Sequence, residues 1–296
     1  HSGPCGPRHR PAGRAATALP SATAIGELVG AVQAGSSGDP EAVKSCCAAV
    51  YGVDVVALFL GESYHPGGAD LTRRLADALS LHAGERVLDV AAGIGTTALL
   101  LAAERDVDVL GVDLGANQVA RALARAEAAG LGERARFEVG DAERLPVEDG
   151  AFDAVVCECA FCTFPDKATA ATELARVIGP GGRVGITDVW LDPGRLDTEL
   201  AGLAGRVACV ADARPIDETR ATLEAAGLRV EHVERHDQAL LATIEQVETR
   251  LRALRLLDLP ILRALDLRRG IELTRRVADV VTRGDAGYML LVATKT

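Results

Sequence analysis

The sequence predicts an α/β protein in which a doubly wound, mostly parallel sheet carries helices on both faces. Two observations indicate this fold class. Short apolar runs of strand length alternate with helical segments from residue 86 to residue 189, a pattern typical of parallel sheets. The first run, 87–90, passes through a glycine turn directly into a helical segment at Thr96. This order places helix N-terminal amides at the tip of a strand.

The elements follow from apolar runs, helical periodicity and turn residues taken in chain order. Amphipathic or apolar helical spacing predicts helices over 69–82, 96–105, 116–129, 166–178 and 216–226. Runs rich in Val, Leu, Ile and Phe predict strands over 86–90, 107–112, 135–139, 152–157, 183–189, 228–235 and 287–294. The turn residues 179–182 separate a helix from the strand that follows it, and we expect the last strand to run antiparallel.

Three regions of different character make up the chain. Residues 1–22 are rich in Pro, Gly, Arg and Ala without periodicity, and a linker occupies 35–40 after a stretch with helical spacing. We therefore expect residues 1–40 to be a disordered or loosely ordered segment. Residues 41–82 predict a helical cap. Residues 83–296 then form one domain, with a helical insertion at about 238–283 that Pro260 interrupts. A lid, a homodimer face and simple cover for a sheet edge would each explain this insertion.

Composition narrows the partners to small molecules. The 296 residues carry a net charge of −10 without a basic cluster, which argues against nucleic acid. No apolar run approaches the roughly 20 residues of a membrane span. Seven cysteines, an odd number, and the absence of a secretory signal favour reduced thiols and a cytoplasmic location.

The turn after the first strand is the strongest candidate for a ligand site. Gly93 and Gly95 allow a ligand to approach the backbone closely, although the third glycine of the dinucleotide fingerprint is missing and Thr96 and Thr97 follow Gly95 instead. Asp89 lies near the carboxyl end of the strand. Asp113 follows the next strand, 24 residues after Asp89, close to the spacing at which an acidic residue accepts hydrogen bonds from ribose hydroxyls.

The ordered series VLDVAAGIGT, GVDLG, GDAERLP, FDAVVCECAF and RVIGPGGRVGITDV resembles the class I S-adenosylmethionine-dependent methyltransferases, which have a Rossmann-like fold. The resemblance covers about residues 70–235. It implies that Asp113 holds the ribose hydroxyls and that Asp141 faces the adenine amino group. It further implies that the remaining cofactor contacts are Asp89, Ala91, Gly93, Gly95 and Thr96 at the methionine end, Leu114 and Ala142 beside the adenine, and Cys157 near the transferred methyl group.

The cysteines are similar in layout to those of the arsenite methyltransferases. Cys159 follows the fourth strand, Cys209 comes about 50 residues later, and Cys46 or Cys47 precedes the glycine turn. The resemblance implies that Cys159, Cys209 and Cys47 hold trivalent arsenic as substrate, since thiolates select soft, thiophilic centres. Glu158 replaces the family's usual Asn. We expect no resident metal, because the spacing differs from paired zinc motifs.

Two other interpretations stay open. A C-, N- or O-methyltransferase of a small organic metabolite would need a base for an oxygen or carbon acceptor, and His65 is the best candidate, with Tyr51 and Tyr64 as polar contacts. His65 could instead cap the helix that follows, and the cysteines could pack as small buried hydrophobes. A metal-sensing or binding protein that holds S-adenosylmethionine only structurally is the third interpretation.

Overall fold

The computed structural model describes Lys44 and residues 65–195, 212–256 and 266–296. One seven-stranded sheet has the order β3-β2-β1-β4-β5-β7-β6. Strands β1 to β5 pair in parallel, and β7 runs antiparallel to both β5 and β6. The predicted fold class is therefore confirmed. The strands are β1 (Arg86–Val90), β2 (Asp108–Asp113), β3 (Ala135–Val139), β4 (Phe152–Glu158), β5 (Ile178–Leu191), β6 (Leu228–Arg235) and β7 (Ala286–Lys295).

Helices cover both faces of the sheet because neighbouring strand residues point to opposite sides. Val87 packs into one apolar core and Leu88 into the other. Helices α1, α2, α3, α6 and α7 contribute to the first core, and α4 and α5 to the second. The helices are α1 (Gly68–Ala78), α2 (Thr96–Arg105), α3 (Ala116–Ala128), α4 (Lys167–Val177), α5 (Ile216–Ala225), α6 (Asp237–Leu256) and α7 (Leu267–Thr282).

Two predicted boundaries are wrong by more than two residues. Helix α1 ends at Ala78 rather than at 82, because Ser80 adopts a left-handed backbone conformation with φ 50°. Strand β5 begins at Ile178 and includes the predicted turn 179–182. Phe152 pairs with Ile178, and the register then shifts before regular pairing resumes at Ala154. The early start of β5 is thus an irregularity that apolar patterning does not report.

Several predictions fall outside the described residues. They concern the segment 1–40, most of the cap at 41–64, the break at Pro260, the side chains of Tyr51 and Tyr64, and the thiols of Cys46, Cys47 and Cys209. Helices α6 and α7 occupy the predicted insertion between β6 and β7. Among the described helices, none is long and apolar enough to cross a membrane.

The ring of Phe137 on β3 explains why two positions near the glycine turn are glycine. A Cβ atom at Gly111 on β2 would lie 2.4 Å from Phe137 Cδ1 and 2.9 Å from Ala92 Cβ. A Cβ atom at Gly95, the residue before α2, would lie 2.6 Å from Phe137 Cζ. Side chains at these positions would therefore push the turn, α2 and β3 apart.

We predict that Gly111→Ala lowers the free energy of unfolding by about 1–3 kcal/mol, the usual cost of overpacking a core. Gly132→Ala is the matched control. Gly132 has open space where its Cβ would lie, so its substitution should change stability by less than about 0.5 kcal/mol. Urea unfolding of both variants measures the difference, and equal stabilities would contradict the packing role of Phe137.

Candidate active site

A cavity opens at the carboxyl ends of β1, β2 and β4, where open α/β sheets bind ligands. It encloses about 1220 Å³ of empty space, including its open mouth. Ten of the predicted site residues line it, and they come from five separate parts of the chain. These residues are His65, Asp89, Ala91, Gly93, Thr96, Asp113, Leu114, Asp141, Ala142 and Cys159.

The glycine turn forms one wall of this cavity. Ala91 and Gly93 adopt positive φ angles of 59° and 54°. The amide of Ala92 donates to the Val112 carbonyl at 3.1 Å, and the amide of Gly93 donates to Asp113 Oδ2 at 2.8 Å. A Cβ atom at Gly93 would meet nothing within 4 Å. The turn therefore presents open backbone to the cavity while its other side is tied to β2.

Two acidic side chains support the turn from below. Asp89 is 2% exposed and accepts the amide of Ala98, in the first turn of α2, at 3.1 Å. Burial raises the pKa of Asp89 well above its usual range, and the charge of Glu158 adds to that effect. Burial also raises the pKa of Asp113, although its hydrogen bonds from the Gly115 and Gly93 amides oppose the shift. A ligand with positive charge or hydrogen-bond donors would stabilise the charged form of both aspartates.

Asp141 lies at the far end of the cavity, after β3. Its Oδ1 accepts the Glu143 amide at 2.9 Å, which is the turn geometry expected of an aspartate in this loop. Lys44 Nζ lies 2.8 Å from Asp141 Oδ2 and 2.6 Å from Glu143 Oε2. Burial alone would raise the pKa of Asp141, but the hydrogen bond from Lys44 brings this pKa below its usual value.

Glu158, at the end of β4, was not among the predicted site residues. Its side chain is 3% exposed. Three hydroxyls donate to its carboxylate: Thr72 at 2.9 Å, Thr97 at 2.6 Å and Thr187 at 3.1 Å. The sequence signal for this cluster is weak, because the threonines lie on α1, α2 and β5. The sequence signal for Glu158 itself is its place, as a charged residue, at the carboxyl end of an apolar strand.

His65 faces the Glu158 carboxylate. Its Nε2 lies 3.6 Å from Glu158 Oε2 and 3.4 Å from Thr72 Oγ1, and its Nδ1 lies 3.2 Å from the Pro66 carbonyl oxygen. Helix α1 begins at Gly68, after Gly67, whereas His65 lines the cavity beside Glu158. The geometry therefore favours a place in the cavity over a capping role.

The predicted cysteines divide into separate environments. Cys159 lines the cavity and has a positive φ of 54°. Cys157 is fully buried among apolar side chains and does not line the cavity, and burial raises the pKa of its thiol well above the usual value. Gly95 also lies behind the cavity wall, against Phe137. Within the described residues, no group of three or more His, Cys, Asp or Glu side chains could hold a metal ion.

Comparison with known proteins places this site in a family. The model of the family described as "Methyltransferase domain" matches residues 87–182. The 27-O-demethylrifamycin SV methyltransferase of Amycolatopsis mediterranei is 36% identical over 199 residues, which span 61% of this chain and 72% of that enzyme. The chain belongs to the S-adenosylmethionine-dependent methyltransferases. The predictions of an enzyme, of this activity and of this cofactor are thereby confirmed.

Other relatives of this methyltransferase differ in what their names report. The O-methyltransferase rstn1 of Aspergillus nomiae is 31% identical over 160 residues, covering 54% of this chain and 71% of the relative. The arsenite methyltransferase of Halobacterium salinarum is 32% identical over 164 residues, covering 53% of this chain and 40% of the relative. The family is therefore established, whereas the acceptor varies among its members.

Solved structures agree on the fold. A putative sarcosine dimethylglycine methyltransferase from Galdieria sulphuraria has a TM-score of 0.70 at 20% identity, covering 77% of this chain and 85% of that one. Phosphoethanolamine N-methyltransferase 2 of Haemonchus contortus, in complex with S-adenosyl-L-methionine, has a TM-score of 0.68 at 21% identity. It covers 80% of this chain and 55% of that one.

The buried charge of Asp89 predicts a pH-dependent stability. Because the folded-state pKa is raised above 3.8, the folded chain holds this proton to higher pH than the unfolded chain. Stability from Asp89 is thus full below about pH 4 and is lost as pH rises through the folded-state pKa. Asp89→Asn should raise the Tm relative to the parent at pH 7 and have a smaller effect at pH 4.

Asp108→Asn is the control for this comparison, because Asp108 is exposed at the start of β2. Its Tm difference from the parent should stay nearly constant over the same pH range. Differential scanning calorimetry without ligand measures both series. A Tm difference for Asp89→Asn that does not grow with pH would contradict the buried-charge interpretation.

Proposed function

We propose that this methyltransferase transfers the methyl group of S-adenosylmethionine to a hydroxyl oxygen of a small organic metabolite, with His65 as the proton acceptor. The observation that carries the proposal is the pairing of His65 with Glu158 inside the cavity formed by the glycine turn, Asp113 and Asp141. A base of this kind is needed for a hydroxyl acceptor. It is not needed for trivalent arsenic, whose lone pair is available without loss of a proton.

The cavity residues suit the cofactor. We propose that Asp113 accepts hydrogen bonds from the ribose hydroxyls and that Asp141 accepts one from the adenine amino group. Leu114 and Ala142 would lie beside the adenine ring. Ala91, Gly93 and Thr96 would border the methionine end above Asp89. The open face of Gly93 and the carboxylates at separate ends of the cavity support this orientation. It places the transferred methyl group towards Glu158 and Cys159.

Hydrogen bonding assigns the tautomer of His65. A carbonyl oxygen can only accept, so Nδ1 must donate its proton to the Pro66 carbonyl. In the neutral ring Nε2 then carries the lone pair. When Nε2 takes up a proton, the imidazolium faces the Glu158 carboxylate at 3.6 Å. The three threonine hydroxyls on Glu158 hold that carboxylate in place, where its charge stabilises the imidazolium that forms.

The reaction balances with these groups. S-adenosylmethionine supplies an electrophilic methyl group when it is bound. The acceptor oxygen forms a bond to this methyl carbon as the sulfur–methyl bond breaks. The hydroxyl proton passes to His65 Nε2, and solvent receives it after the products leave. The chain contributes orientation of the acceptor, removal of its proton and the exclusion of water by the largely apolar wall that includes Ala160, Phe164 and Pro165.

Relatives support an oxygen acceptor, since two of them are named for O-linked chemistry. Arsenite remains the second candidate on one observation: Cys159 lines the cavity beside Glu158. A relative named arsenite methyltransferase matches over 53% of this chain. Cys209 and Cys47, the proposed partners of Cys159, lie outside the described residues.

We predict that His65→Ala lowers kcat by about 10²- to 10⁴-fold, the usual contribution of a general base, while the Kd for S-adenosylhomocysteine stays unchanged. Glu158→Gln should also lower kcat, because it leaves the imidazolium without its counter-charge. His82→Ala, at an exposed histidine beyond the other end of α1, is the matched control. Full kcat in His65→Ala would eliminate the base assignment.

The acceptor class is tested by supplying acceptors directly. The enzyme is incubated with S-adenosylmethionine and either a panel of phenols and hydroxylated macrocycles or arsenite with a thiol, and the products are identified by mass spectrometry. Methyl ether formation is the expected outcome, and Cys159→Ala should retain it. Methylated arsenic without any methyl ether would contradict the proposal and support the arsenite alternative.

A further inference from the structure

Lys44, a described residue of the predicted N-terminal cap, reaches the cavity, and it is separated from Asp141 by 97 residues in sequence. Its side chain is 11% exposed. The ammonium group contacts two carboxylates at once, Asp141 Oδ2 at 2.8 Å and Glu143 Oε2 at 2.6 Å. All three residues line the cavity that we assign to the cofactor. Neither the family motifs nor the sequence analysis assign a role to Lys44.

The contacts of the two carboxylates show what Lys44 holds together. Asp141 Oδ1 accepts the amide of Glu143, so the loop folds back on its own aspartate. Glu143 Oε1 accepts the amide of Asp166 at 2.8 Å, and Asp166 is the N-cap residue of α4. Lys44 therefore ties the N-terminal part of the chain to the loop after β3 and, through Glu143, to the start of α4.

We infer that Lys44 is a positioning residue for recognition of the adenine amino group, because it keeps Asp141 ionised and oriented as a hydrogen-bond acceptor. The inference rests on the proposed assignment of Asp141 to the adenine end. A carboxylate has lone pairs for more than two donors, so Asp141 can hold Lys44, the Glu143 amide and an amino group together. Hydrogen bonds to an ionised acceptor are stronger than those to a neutral one.

Charge balance explains why a cation is required here. Without Lys44, the Glu143 carboxylate would face Asp141 with no cation between them, and burial would favour protonation of Asp141. Arg144 adds a weaker attraction that remains in a Lys44 variant. A protonated or rotated Asp141 would lose the charge-assisted bond to an amino group. The effect should be specific to that group and distant from the methyl transfer.

The test uses the enzyme and compares S-adenosylhomocysteine with its 6-deamino analogue, in which a hydrogen atom replaces the amino group on the purine ring. The Kd of the analogue divided by the Kd of S-adenosylhomocysteine, both measured by calorimetry, reports recognition of the amino group alone. Lys44→Met should reduce the ratio by about tenfold at pH 7, the scale of one hydrogen bond to a charged group. The loss should grow towards pH 5. Lys44→Arg should restore the ratio, and KM for S-adenosylmethionine should rise in Lys44→Met without a change in kcat.

Control variants distinguish the role of Lys44 from the assignment of Asp141 to the adenine amino group, on which it rests. Lys167→Met removes another lysine–aspartate pair, Lys167 with Asp212, and should leave the ratio unchanged. If Asp141→Asn lowers the ratio but Lys44→Met and Lys44→Gln do not, Lys44 has no positioning role. If Asp141→Asn also leaves the ratio unchanged, the assignment of Asp141 and the inference both fail. Lys44→Gln keeps the test decisive should Lys44→Met not fold.

Discussion

The hydrogen bond from the Gly93 amide to the Asp113 carboxylate is the contact on which the rest of the site depends. Parallel pairing of Val90 with Val112 brings the ends of β1 and β2 side by side, and this bond joins the turn after one strand to the residue that ends the other. Asp113 is partly withdrawn from water, which disfavours its charge. Backbone amides from Gly93 and Gly115 oppose that effect in part and fix the carboxylate in the cavity wall.

The charges of the cavity are unequal at its two ends. Asp89, Asp113 and Glu158 bring buried negative charge to one end, and the charges of Glu158 and Asp113 both raise the pKa of Asp89. At the other end Lys44 neutralises Asp141 and Glu143. A ligand with a cationic sulfonium and ammonium group at one end and a neutral base at the other matches this distribution. Electrostatics thus supports the same orientation as the strand order.

The acceptor end combines two different chemistries in a small space. His65 and Glu158 suit an acceptor that must lose a proton, whereas the Cys159 thiol suits a thiophilic one. The threonine hydroxyls from α1, α2 and β5 hold Glu158 where it can stabilise a protonated His65. Cys157 packs into the core beneath. The contacts of Glu158 with the threonines and with His65 support the proposal of an acceptor that loses a proton.

The sequence by itself determined the sheet and the glycine turn, because strand periodicity and glycine spacing are local patterns. Its resemblance to the class I methyltransferases implied the cofactor. It also placed Cys159 and His65 near the same ligand. It did not reveal Glu158, Lys44 or the packing of Phe137 over Gly111, nor the irregular start of β5. The contacts of Glu158 with the threonines and of Lys44 with Asp141 join residues 29 to 97 apart in sequence. The packing of Phe137 joins two strands, and the start of β5 depends on a register shift between strands. Only the tertiary structure decides them, since burial and charge pairing arise where distant segments meet.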